Sequence, residues 1–217
     1  MKTYKLNDLN NPLISVLMPA YNAEKYIKEA IESILNQTFS NFEFIIIDDG
    51  SIDATEEIIK SFKDSRIVYI KNEKNLGLIK TLNKGISIAR GEFIARMDSD
   101  DISMPQRFEL QLDVFKKYKG VDIVNVALKK MSEDGTKLSK YRHNIYPGFE
   151  AIHYLINIDT FIVHPGVLVK ACLLKKYRYR DCEECIYVED TDLWKLRNLY
   201  LRMGNVPERQ SKSTRKE

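Results

Sequence analysis

The sequence predicts an α/β fold in which a mostly parallel sheet carries helices on both faces, followed by a smaller region of mixed structure. Over the first hundred of the 217 residues, short apolar runs alternate four times with segments of helical periodicity. This alternation is typical of crossover units, which place successive strands parallel to one another. Ligands of such sheets bind beyond the carboxyl ends of the strands, so the loops after the four runs are the first candidates for a site.

Each predicted strand is an apolar run that ends in a turn or in polar residues. The first is closed by Pro19, which cannot donate a hydrogen bond to a neighbouring strand. The last leads directly into acidic residues. In chain order the runs cover residues 13–18, 42–47, 67–70 and 93–97.

Helical periodicity follows each of the first three runs. Asn22 is placed to cap a first helix, whose apolar residues recur at positions 27, 31, 34 and 35. Asp53 with Glu56 three residues later is typical of a capping box, and it predicts a second helix through Phe62. After a turn at 75–77, apolar residues at 79, 82, 86 and 89 predict a third helix.

Beyond the fourth run the pattern becomes looser. Ser103 with Gln106 predicts a capped helix to about Tyr118, residues 121–126 are typical of a strand, and Glu-Asp-Gly at 133–135 indicates a hairpin or loop. We then expect a short helix over 149–156, a strand over 161–169 and a helix over 189–203. From residue 204 little but Val206 is apolar, which predicts a basic, disordered tail over 204–217.

The composition describes one ordinary globular domain. A hydrophobic share of 44% and a charged share of 30% require neither a disordered nor a membrane class. Residues 193–217 hold seven basic and two acidic side chains. A basic end can bind an anionic membrane or nucleic acid, but such charge runs usually only keep a segment in water. No secretory signal is expected at the polar start, and the uncharged stretches are shorter than the ~20 residues of a membrane helix.

The cysteine count favours a reducing compartment. Cys172, Cys182 and Cys185 make an odd number, which argues against a secreted disulfide scaffold. Cys182 and Cys185 form a C-x-x-C, but a zinc site needs four ligands and no second closely spaced pair is present. A redox role is equally disfavoured, because no thioredoxin-like strand-to-helix context surrounds the pair.

Three carboxylates, Asp98, Asp100 and Asp101, follow the fourth apolar run. Like charges repel, so this cluster needs water, basic side chains or a hard divalent cation. Mg²⁺ or Mn²⁺ held by one or two carboxylates and substrate phosphate fits the pattern, although acidic strand ends are also common as solvated loops. The polar loops at 19–22, 48–51 and 75–77 fall on the same predicted edge, which favours a binding site.

Glycine-rich phosphate loops are absent from the sequence. The nine glycines never form G-x-G-x-x-G or precede Lys-Ser/Thr, which disfavours dinucleotide oxidoreductases and P-loop nucleotidases. A sugar-phosphate nucleotidylyltransferase is disfavoured because no glycine-rich loop follows the first strand. A second acidic pair, Glu189 and Asp190, heads the last predicted helix, where it either caps the helix or supplies a general base.

Taken in order, the motifs of the chain resemble those of the family 2 glycosyltransferases over residues 13–194. They are Ile-Ser-Val-Leu-Met-Pro-Ala-Tyr-Asn at 14–22, Ile-Asp-Asp-Gly-Ser at 47–51, Asn-Leu-Gly at 75–77, Leu-Asn-Lys-Gly at 82–85, Met-Asp-Ser-Asp-Asp at 97–101, His-Pro at 164–165 and Glu-Asp-Thr-Asp-Leu-Trp at 189–194. The resemblance implies a GT-A fold in a single domain over 1–203, with a Rossmann-like nucleotide-binding half at about 13–102 and an acceptor half at about 103–203. It also implies inverting transfer of a sugar from a nucleotide-diphosphate sugar, with UDP favoured by family habit.

The resemblance assigns the donor site residue by residue. Pro19, Ala20 and Tyr21 should line the base and ribose pocket, with Tyr21 near the base, and Asp49 should accept a hydrogen bond from the base. The D-x-D motif is matched by Asp98, Ser99 and Asp100. Within that motif, Asp98 should lie nearer the ribose and Asp100 on the Mn²⁺ or Mg²⁺ cofactor.

The resemblance also assigns the acceptor side. Asp190 matches the catalytic base, and His164 should lie close to the diphosphate or the acceptor. The implied partners are a nucleotide-sugar donor and a glycan or lipid-linked acceptor, in a cytoplasmic protein with possible peripheral association at the inner membrane face and no nucleic-acid partner. The family usually adds an acceptor-side segment after Trp194, whereas residues 196–217 are short and basic, so a truncated, non-catalytic nucleotide-sugar-binding or scaffold protein is the alternative. Sugar, acceptor and oligomeric state stay open.

Overall fold

The computed structural model describes residues 11–126, 128–132, 138–140, 164–185, 189–190, 193, 203–205 and 213–216. In chain order the elements are β1 (Ile14–Ala20), α1 (Ile27–Leu35), β2 (Phe42–Asp48), α2 (Thr55–Ser61), β3 (Ile67–Lys71), α3 (Leu78–Ile88), β4 (Phe93–Arg96), β5 (Asp101–Ser103), α4 (Arg107–Lys117), β6 (Ile123–Asn125), β7 (Leu128–Met131), β8 (Leu138–Lys140), β9 (Leu168–Lys170), α5 (Ala171–Tyr177), β10 (Met203–Asn205) and β11 (Ser213–Lys216). Short 3-10 helices at His164–Gly166 and Glu183–Cys185 lie before β9 and after α5.

The main sheet has seven strands in the order β10-β6-β9-β4-β1-β2-β3. β1 pairs parallel with β2 and with β4, and β2 pairs parallel with β3. β9 runs antiparallel between β4 and β6. The sequence therefore predicted the α/β class and the mostly parallel sheet correctly, because each of the first four strands is an apolar run followed by its own turn.

The central strands of the sheet are buried on both faces. Every residue of β1 and β2 is buried, which explains why these strands are continuous apolar runs instead of alternating ones. Ile14, Val16 and Met18 face the core that includes α1, whereas Leu17 faces the core that includes α3. Burying one large apolar side chain of this kind contributes about 1.5–3 kcal/mol, so the two layers fix the strand order and register firmly.

Two local expectations for the first crossover are wrong. β1 does not stop before Pro19 but pairs with β2 as far as Ala20. The ladder to β4 already ends at Leu17, so the missing N–H of the proline interrupts no pairing on that side. Asn22 does not cap α1, because the helix begins at Ile27; Asn22 instead has a positive φ of 47° in the loop after β1.

The capping predictions for α2 and α4 differ in outcome. Asp53 accepts a hydrogen bond from the backbone N–H of Thr55 at 3.0 Å, so it does hold the start of α2. Its predicted partner Glu56 pairs instead with lysines on the surface. Ser103 makes no cap on α4; its hydroxyl accepts a hydrogen bond from the Gln37 amide at 3.1 Å, across to the end of α1.

The predicted disordered tail contains two strands. β10 extends the main sheet beside β6, and β11 lies between β5 and β7 in a second, four-stranded sheet. A strand edge presents unpaired N–H and C=O groups that any backbone can satisfy, whatever its side chains, so low apolar content alone did not exclude pairing. The predicted helix over 149–156 and the loop at 133–135 lie outside the described residues.

Candidate functional site

The carboxyl ends of β1, β2, β3 and β4 lie along one edge of the sheet, because these strands are parallel. β9 is antiparallel, so its beginning lies at this same edge, together with the 3-10 helix His164–Gly166 that precedes it. The backbone N–H of Arg96 donates to the Val167 carbonyl at 3.2 Å, which joins the end of β4 to that segment. The strand topology thus brings residues 164–167 next to the acidic loop after β4.

The loops after β1 and β2 are linked by paired hydrogen bonds. The backbone N–H of Asn22 donates to the Ser51 hydroxyl at 3.0 Å, and the Asn22 side-chain carbonyl accepts from the Ile52 N–H at 3.0 Å. The backbone N–H of Asp49 donates to the Ala20 carbonyl at 2.8 Å. The left-handed backbone at Asn22, which asparagine tolerates well, is therefore used to connect two strand ends.

Asp49 is the centre of a hydrogen-bond network at the end of β2. Its buried carboxylate accepts from the Asn72 amide at 2.7 Å and from the backbone N–H groups of Leu76 and Gly77 at 2.9 Å each. A carboxylate offers about four lone-pair positions, so these three bonds leave one on Oδ2, the oxygen that accepts only from Gly77. Asp49 thus shapes the loop after β3 and keeps the capacity for one further donor.

The Asn72 side chain ties the same loop to α3. Its amide also donates to the Thr81 hydroxyl at 3.2 Å, and its carbonyl accepts from the Lys84 ammonium at 2.6 Å. Asn72 and Thr81 are almost fully buried. Since every polar atom of this amide is used, the loop that leads into α3 has one defined conformation at the edge.

A buried cation lies behind the acidic loop. Arg96, the last residue of β4, is buried and forms an ion pair with Asp98. Burial alone lowers the pKa of Arg96, but the carboxylates around it, Asp98 above all, outweigh this effect and hold the pKa above its usual value. Among the described residues the Nε of Arg96 has no hydrogen-bond partner. The charge of Asp98 is thus partly neutralised from inside the protein.

A second buried arginine holds the other side of this loop. Arg107 on α4 donates to the backbone carbonyls of Arg96 at 2.9 Å and of Val167 at 3.2 Å, so one guanidinium binds both β4 and the segment before β9. Burial lowers the pKa of Arg107 to about 10, against the opposing effect of Asp101. Asp101 is itself fully buried, which makes it part of the internal charge network and no ligand at the surface.

His164 is enclosed by two polar side chains. Its Nε2 lies 2.6 Å from the Tyr179 hydroxyl, and its Nδ1 lies 3.9 Å from a carboxylate oxygen of Glu189. Burial, with a further contribution from Arg96, holds the pKa of His164 well below its usual value, so the imidazole is neutral. Burial and the neighbouring Asp190 raise the pKa of Glu189, which Arg96 opposes. Glu189, Asp190 and Leu193 are helical, as the sequence predicted.

The remaining predicted site residues lie at the same edge. Tyr21 follows β1 with 48% of its surface exposed, whereas Pro19 and Ala20 are buried in the strand. Ser99 and Asp100 are half-buried in the loop after β4. Asp190 is half-buried beside Glu189, close enough for its charge to act on that carboxyl group. The carboxyl ends of the strands thus carry the residues expected to bind the donor, while Asp190 lies beside Glu189, whose carboxylate faces His164.

The loop after β4 fits a divalent cation that arrives with a phosphate ligand. Asp98 pairs with Arg96, Asp101 is buried, and Asp100 is the half-buried carboxylate between them. In the part of the chain that the structure describes, no three His, Cys, Asp or Glu side chains lie together as a metal-binding group. Hard cations such as Mg²⁺ often bind one or two carboxylates plus substrate phosphates, so the donor set fits a cation shared with a diphosphate.

Sequence reasoning missed the two arginines and Tyr179. Arg96 interrupts the otherwise apolar run at 93–97, and a charged residue inside a predicted buried strand is a signal that could have been used. Arg107 and Tyr179 have no such signal, since both stand in ordinary polar surroundings in the sequence. Cys182 and Cys185 are joined by a disulfide with 5.3 Å between their Cα atoms, and Cys172 is exposed.

The fold is that of the GT-A glycosyltransferases. TarS of S. aureus in complex with UDP-GlcNAc matches with a TM-score of 0.76 over 94% of this chain and 58% of that chain, at 21% sequence identity. The sequence profile of Glycosyl transferase family 2 matches residues 15–178. The chain therefore belongs to family 2 of the glycosyltransferases, as its motifs implied.

Two relatives illustrate the range of this family. A glycosyltransferase of Methanocaldococcus jannaschii is 40% identical over 193 residues, which are 87% of this chain and 66% of the relative. The Escherichia coli UDP-Glc:alpha-D-GlcNAc-diphosphoundecaprenol beta-1,3-glucosyltransferase WfgD is 37% identical over 123 residues, 54% of this chain and 49% of WfgD. This chain spans at most about two thirds of the length of these relatives. Within the described residues, every helix is too short or too polar to cross a bilayer.

Proposed function

We propose that the chain is an inverting hexosyltransferase that moves a sugar from a nucleotide-diphosphate donor, UDP-linked by preference, to a hydroxyl of a glycan or lipid-linked acceptor. The observation that carries this proposal is the single edge of the sheet that holds the loops after β1 to β4, where the charges of Arg96 and Asp98 act on Glu189, the neighbour of Asp190. Membership of the family and the names of the relatives, one of which transfers glucose from UDP-Glc, support it.

On the donor side, the proposed roles are those that the family resemblance assigns. Tyr21 is exposed where a base can stack on it, and Asp49 retains one acceptor position for a donor group of the base. Pro19 and Ala20 would line the base and ribose pocket with Tyr21, Asp98 would lie nearer the ribose, and Ser99 would bind the donor beside it. Asp100 would hold Mn²⁺ or Mg²⁺, which when bound supplies positive charge for a departing diphosphate.

On the acceptor side, Asp190 acts as the general base. It takes the proton of the acceptor hydroxyl; the hydroxyl oxygen forms a bond to the anomeric carbon, and the bond from that carbon to the diphosphate oxygen breaks. The nucleoside diphosphate leaves with the electron pair of that bond, so one displacement inverts the anomeric configuration. The proposal includes a cytoplasmic location near the membrane, which a lipid-linked acceptor would require.

The test starts with donor binding. Thermal and denaturant unfolding is measured with and without UDP and Mn²⁺ for the native chain, for Asp100→Asn and for Asp113→Asn, an exposed carboxylate on α4 as the matched control. A ligand at ~100 times its dissociation constant adds about 2.7 kcal/mol to the free energy of unfolding. We expect this gain in the native chain and the control, and its loss in Asp100→Asn.

The second step measures transfer. Asp190→Asn should bind UDP and Mn²⁺ like the native chain but lose transfer to acceptors from UDP-sugars by a factor of about 10²–10⁴, the range for loss of a general base. Donor binding by the native chain without transfer to any acceptor would favour a non-catalytic nucleotide-sugar-binding protein. Absence of stabilisation by UDP, GDP and other nucleoside diphosphates would contradict the donor site altogether.

A further inference from the structure

Tyr179 is fixed to α3 by a reciprocal pair of hydrogen bonds. The Asn83 side-chain amide donates to the Tyr179 carbonyl at 2.9 Å, and its side-chain carbonyl accepts from the Tyr179 N–H at 3.0 Å. Two bonds from one planar amide set both the position and the rotation of the Tyr179 backbone. Arg178 adds a third bond, from its guanidinium to the backbone carbonyl of Asn83 at 3.1 Å. The backbone of Arg178 itself has a positive φ of 52°.

The side chain of Tyr179 transmits this position to His164. It is buried, and its hydroxyl lies 2.6 Å from Nε2 of His164, with the two rings tilted at a centroid distance of 5.5 Å. His164 is held from the other side by the sheet, because it begins the 3-10 helix that leads directly into β9. The imidazole is therefore clamped between α3, through Tyr179 and Asn83, and the centre of the sheet.

The surroundings of the two ring nitrogens favour one tautomer. A neutral imidazole has one N–H and one acceptor nitrogen, and a tyrosine hydroxyl can either donate to or accept from Nε2. Because Nδ1 faces the Glu189 carboxylate, an acceptor, at 3.9 Å, the geometry favours the proton on Nδ1, with Nε2 accepting from the Tyr179 hydroxyl. That distance exceeds a hydrogen bond by less than 1 Å, which a small movement on substrate binding can close.

We propose that Asn83, Tyr179 and His164 form a positioning unit that directs an Nδ1–H group at Glu189 and thereby holds Glu189 and its neighbour Asp190 in place for acceptor deprotonation. Both ring nitrogens of His164 face protein side chains, so it acts through Glu189 and not as a ligand of the donor. The groups of the described residues that act on Glu189 are Asp190 and Asp98, which repel it, and Arg96, which attracts it. An N–H group on a neutral imidazole can orient the Glu189 carboxylate by a hydrogen bond without adding a further charge to the site.

This inference rests on the proposed transferase function, but its first test does not require an acceptor. The chain has three histidines, so the ¹⁵N resonances of His164 can be assigned by comparison with a His164 variant. At neutral pH we expect the Nδ1–H tautomer in the native chain and a mixture of tautomers in Tyr179→Phe, which removes only the hydroxyl. A native Nε2–H tautomer, or one unchanged by Tyr179→Phe, would overturn the proposal.

The kinetic test uses two substitutions that each preserve one side of the ring. His164→Asn places an amide N–H near the Nδ1 position, whereas His164→Gln places its amide near Nε2. We expect His164→Asn to retain turnover within about threefold, and His164→Gln and Tyr179→Phe to lose kcat about tenfold with the KM for the UDP-sugar unchanged. Tyr118→Phe, an exposed tyrosine at the end of α4, is the matched control and should change neither constant.

The outcomes separate this inference from the proposed function. A rise in the donor KM with unchanged kcat would make His164 a donor ligand and contradict the positioning role. Equal losses in His164→Asn and His164→Gln would indicate packing alone and contradict it as well. If the native chain shows the expected tautomer and binds UDP but transfers no sugar, the proposed function fails while the Nδ1–H geometry stands.

Discussion

The edge of the sheet that carries the loops after β1 to β4, called the donor edge because the proposed donor would bind there, and the His164 cluster, formed by His164, Tyr179 and Glu189, are held in place in different ways. Asp49 and Asp98 follow β2 and β4 within two residues, and both strands are paired on both sides, so the sheet ladder sets the positions of these carboxylates. His164, Tyr179 and Glu189 come from three separate segments and are located by side-chain contacts between them. We therefore expect substitutions that alter the backbone conformation to disturb the donor edge most. The geometry of the cluster should depend instead on single polar atoms of its side chains.

The largest effect is expected where the two regions join, at Arg107. This guanidinium binds the backbones of β4 and of the segment before β9, and its charge acts on the buried Asp101, as does that of Arg96. Replacing it by methionine removes one of these two cations together with both backbone hydrogen bonds, and removing one partner from buried charges costs about 3–5 kcal/mol. We predict a loss of that size for Arg107→Met in the free energy of unfolding from urea titration.

The control for this prediction restores the charge balance. Arg107→Met combined with Asp101→Asn should recover at least a third of the lost stability, because the uncompensated charge is gone while the missing backbone hydrogen bonds remain missing. If the double variant is no more stable than the single one, the contribution of Arg107 is hydrogen bonding and packing, and not the charge of Asp101.

A pair of glycines at the donor edge provides the next largest effect. Gly50 has a φ of 78°, and a Cβ there would lie 2.6 Å from the backbone carbon of Lys74. Gly77 has a similar φ of 89°, but a Cβ there would meet no atom within 4 Å. We expect Gly77→Ala to cost about 1–2 kcal/mol for the left-handed backbone alone, and Gly50→Ala to cost about 1–3 kcal/mol more for the contact with rigid backbone.

The two substitutions test whether the conformation of the loops at the donor edge depends on backbone geometry at these glycines. The measurement is the urea midpoint of both variants, together with the UDP-induced gain in stability. Gly50→Ala should lose that gain because the loops after β2 and β3 are pushed apart, whereas Gly77→Ala should keep part of it. Equal costs for the two substitutions would contradict the close approach of Gly50 to Lys74.

The donor edge was predictable from the sequence because its information is local. Each strand is an apolar run, and the polar residue that matters, such as Asp49 or Asp98, follows within a few positions in the chain. Periodicity and strand order then place these residues at one edge without knowledge of any side-chain contact. What local patterns could not give is the buried counter-charge, since the pairing of Arg96 with Asp98 depends on three-dimensional burial.

The His164 cluster was predictable only in part, because the residues that form it lie far apart in the sequence. The motif at 82–85 was recognised, but the partner of Asn83 is Tyr179, 96 positions away, and nothing in the sequence connects them. The same holds for β10 and β11, where a polar segment was predicted to be disordered but pairs with exposed strand edges. A strand that pairs through its backbone alone, without burying one of its faces, shows no alternation of apolar and polar residues in the sequence.

The neutral His164 predicts a dependence of stability on pH. The pKa of His164 is lowered in the folded state from an ordinary value of 6.5, so below that pH the unfolded chain binds a proton that the folded chain does not. Stability therefore falls as the pH decreases. One such group lowers the free energy of unfolding by at most about 2 kcal/mol between pH 7 and 5, the limit for an imidazole that takes up no proton in the folded state.

The measurement is the difference between the native chain and His164→Gln, which cannot ionise. Urea titrations at pH 7, 6 and 5 should show the native chain losing more stability than the variant, by up to about 2 kcal/mol over this range. Glu189, whose raised pKa acts in the opposite direction, is present in both proteins. Parallel curves would show that His164 takes up a proton in the folded state and that its burial is less complete than the structure indicates.

The smallest effect on folding is expected at Tyr21, where the two regions can be compared through ligand binding alone. Tyr21 is 48% exposed, and surface substitutions of this kind usually change stability by less than about 0.5 kcal/mol. Stacking of an aromatic side chain on a base is worth on the order of 1–3 kcal/mol, so Tyr21→Ala should raise the dissociation constant for UDP by about tenfold. Tyr118→Ala, which is 52% exposed at the end of α4, is the matched control and should leave that constant unchanged. Equal UDP affinities for the two variants in isothermal titration would show that Tyr21 does not bind the donor. The exposed end of β1 would then be no part of the donor edge, and the comparison with the His164 cluster would rest on the loops after β2 to β4.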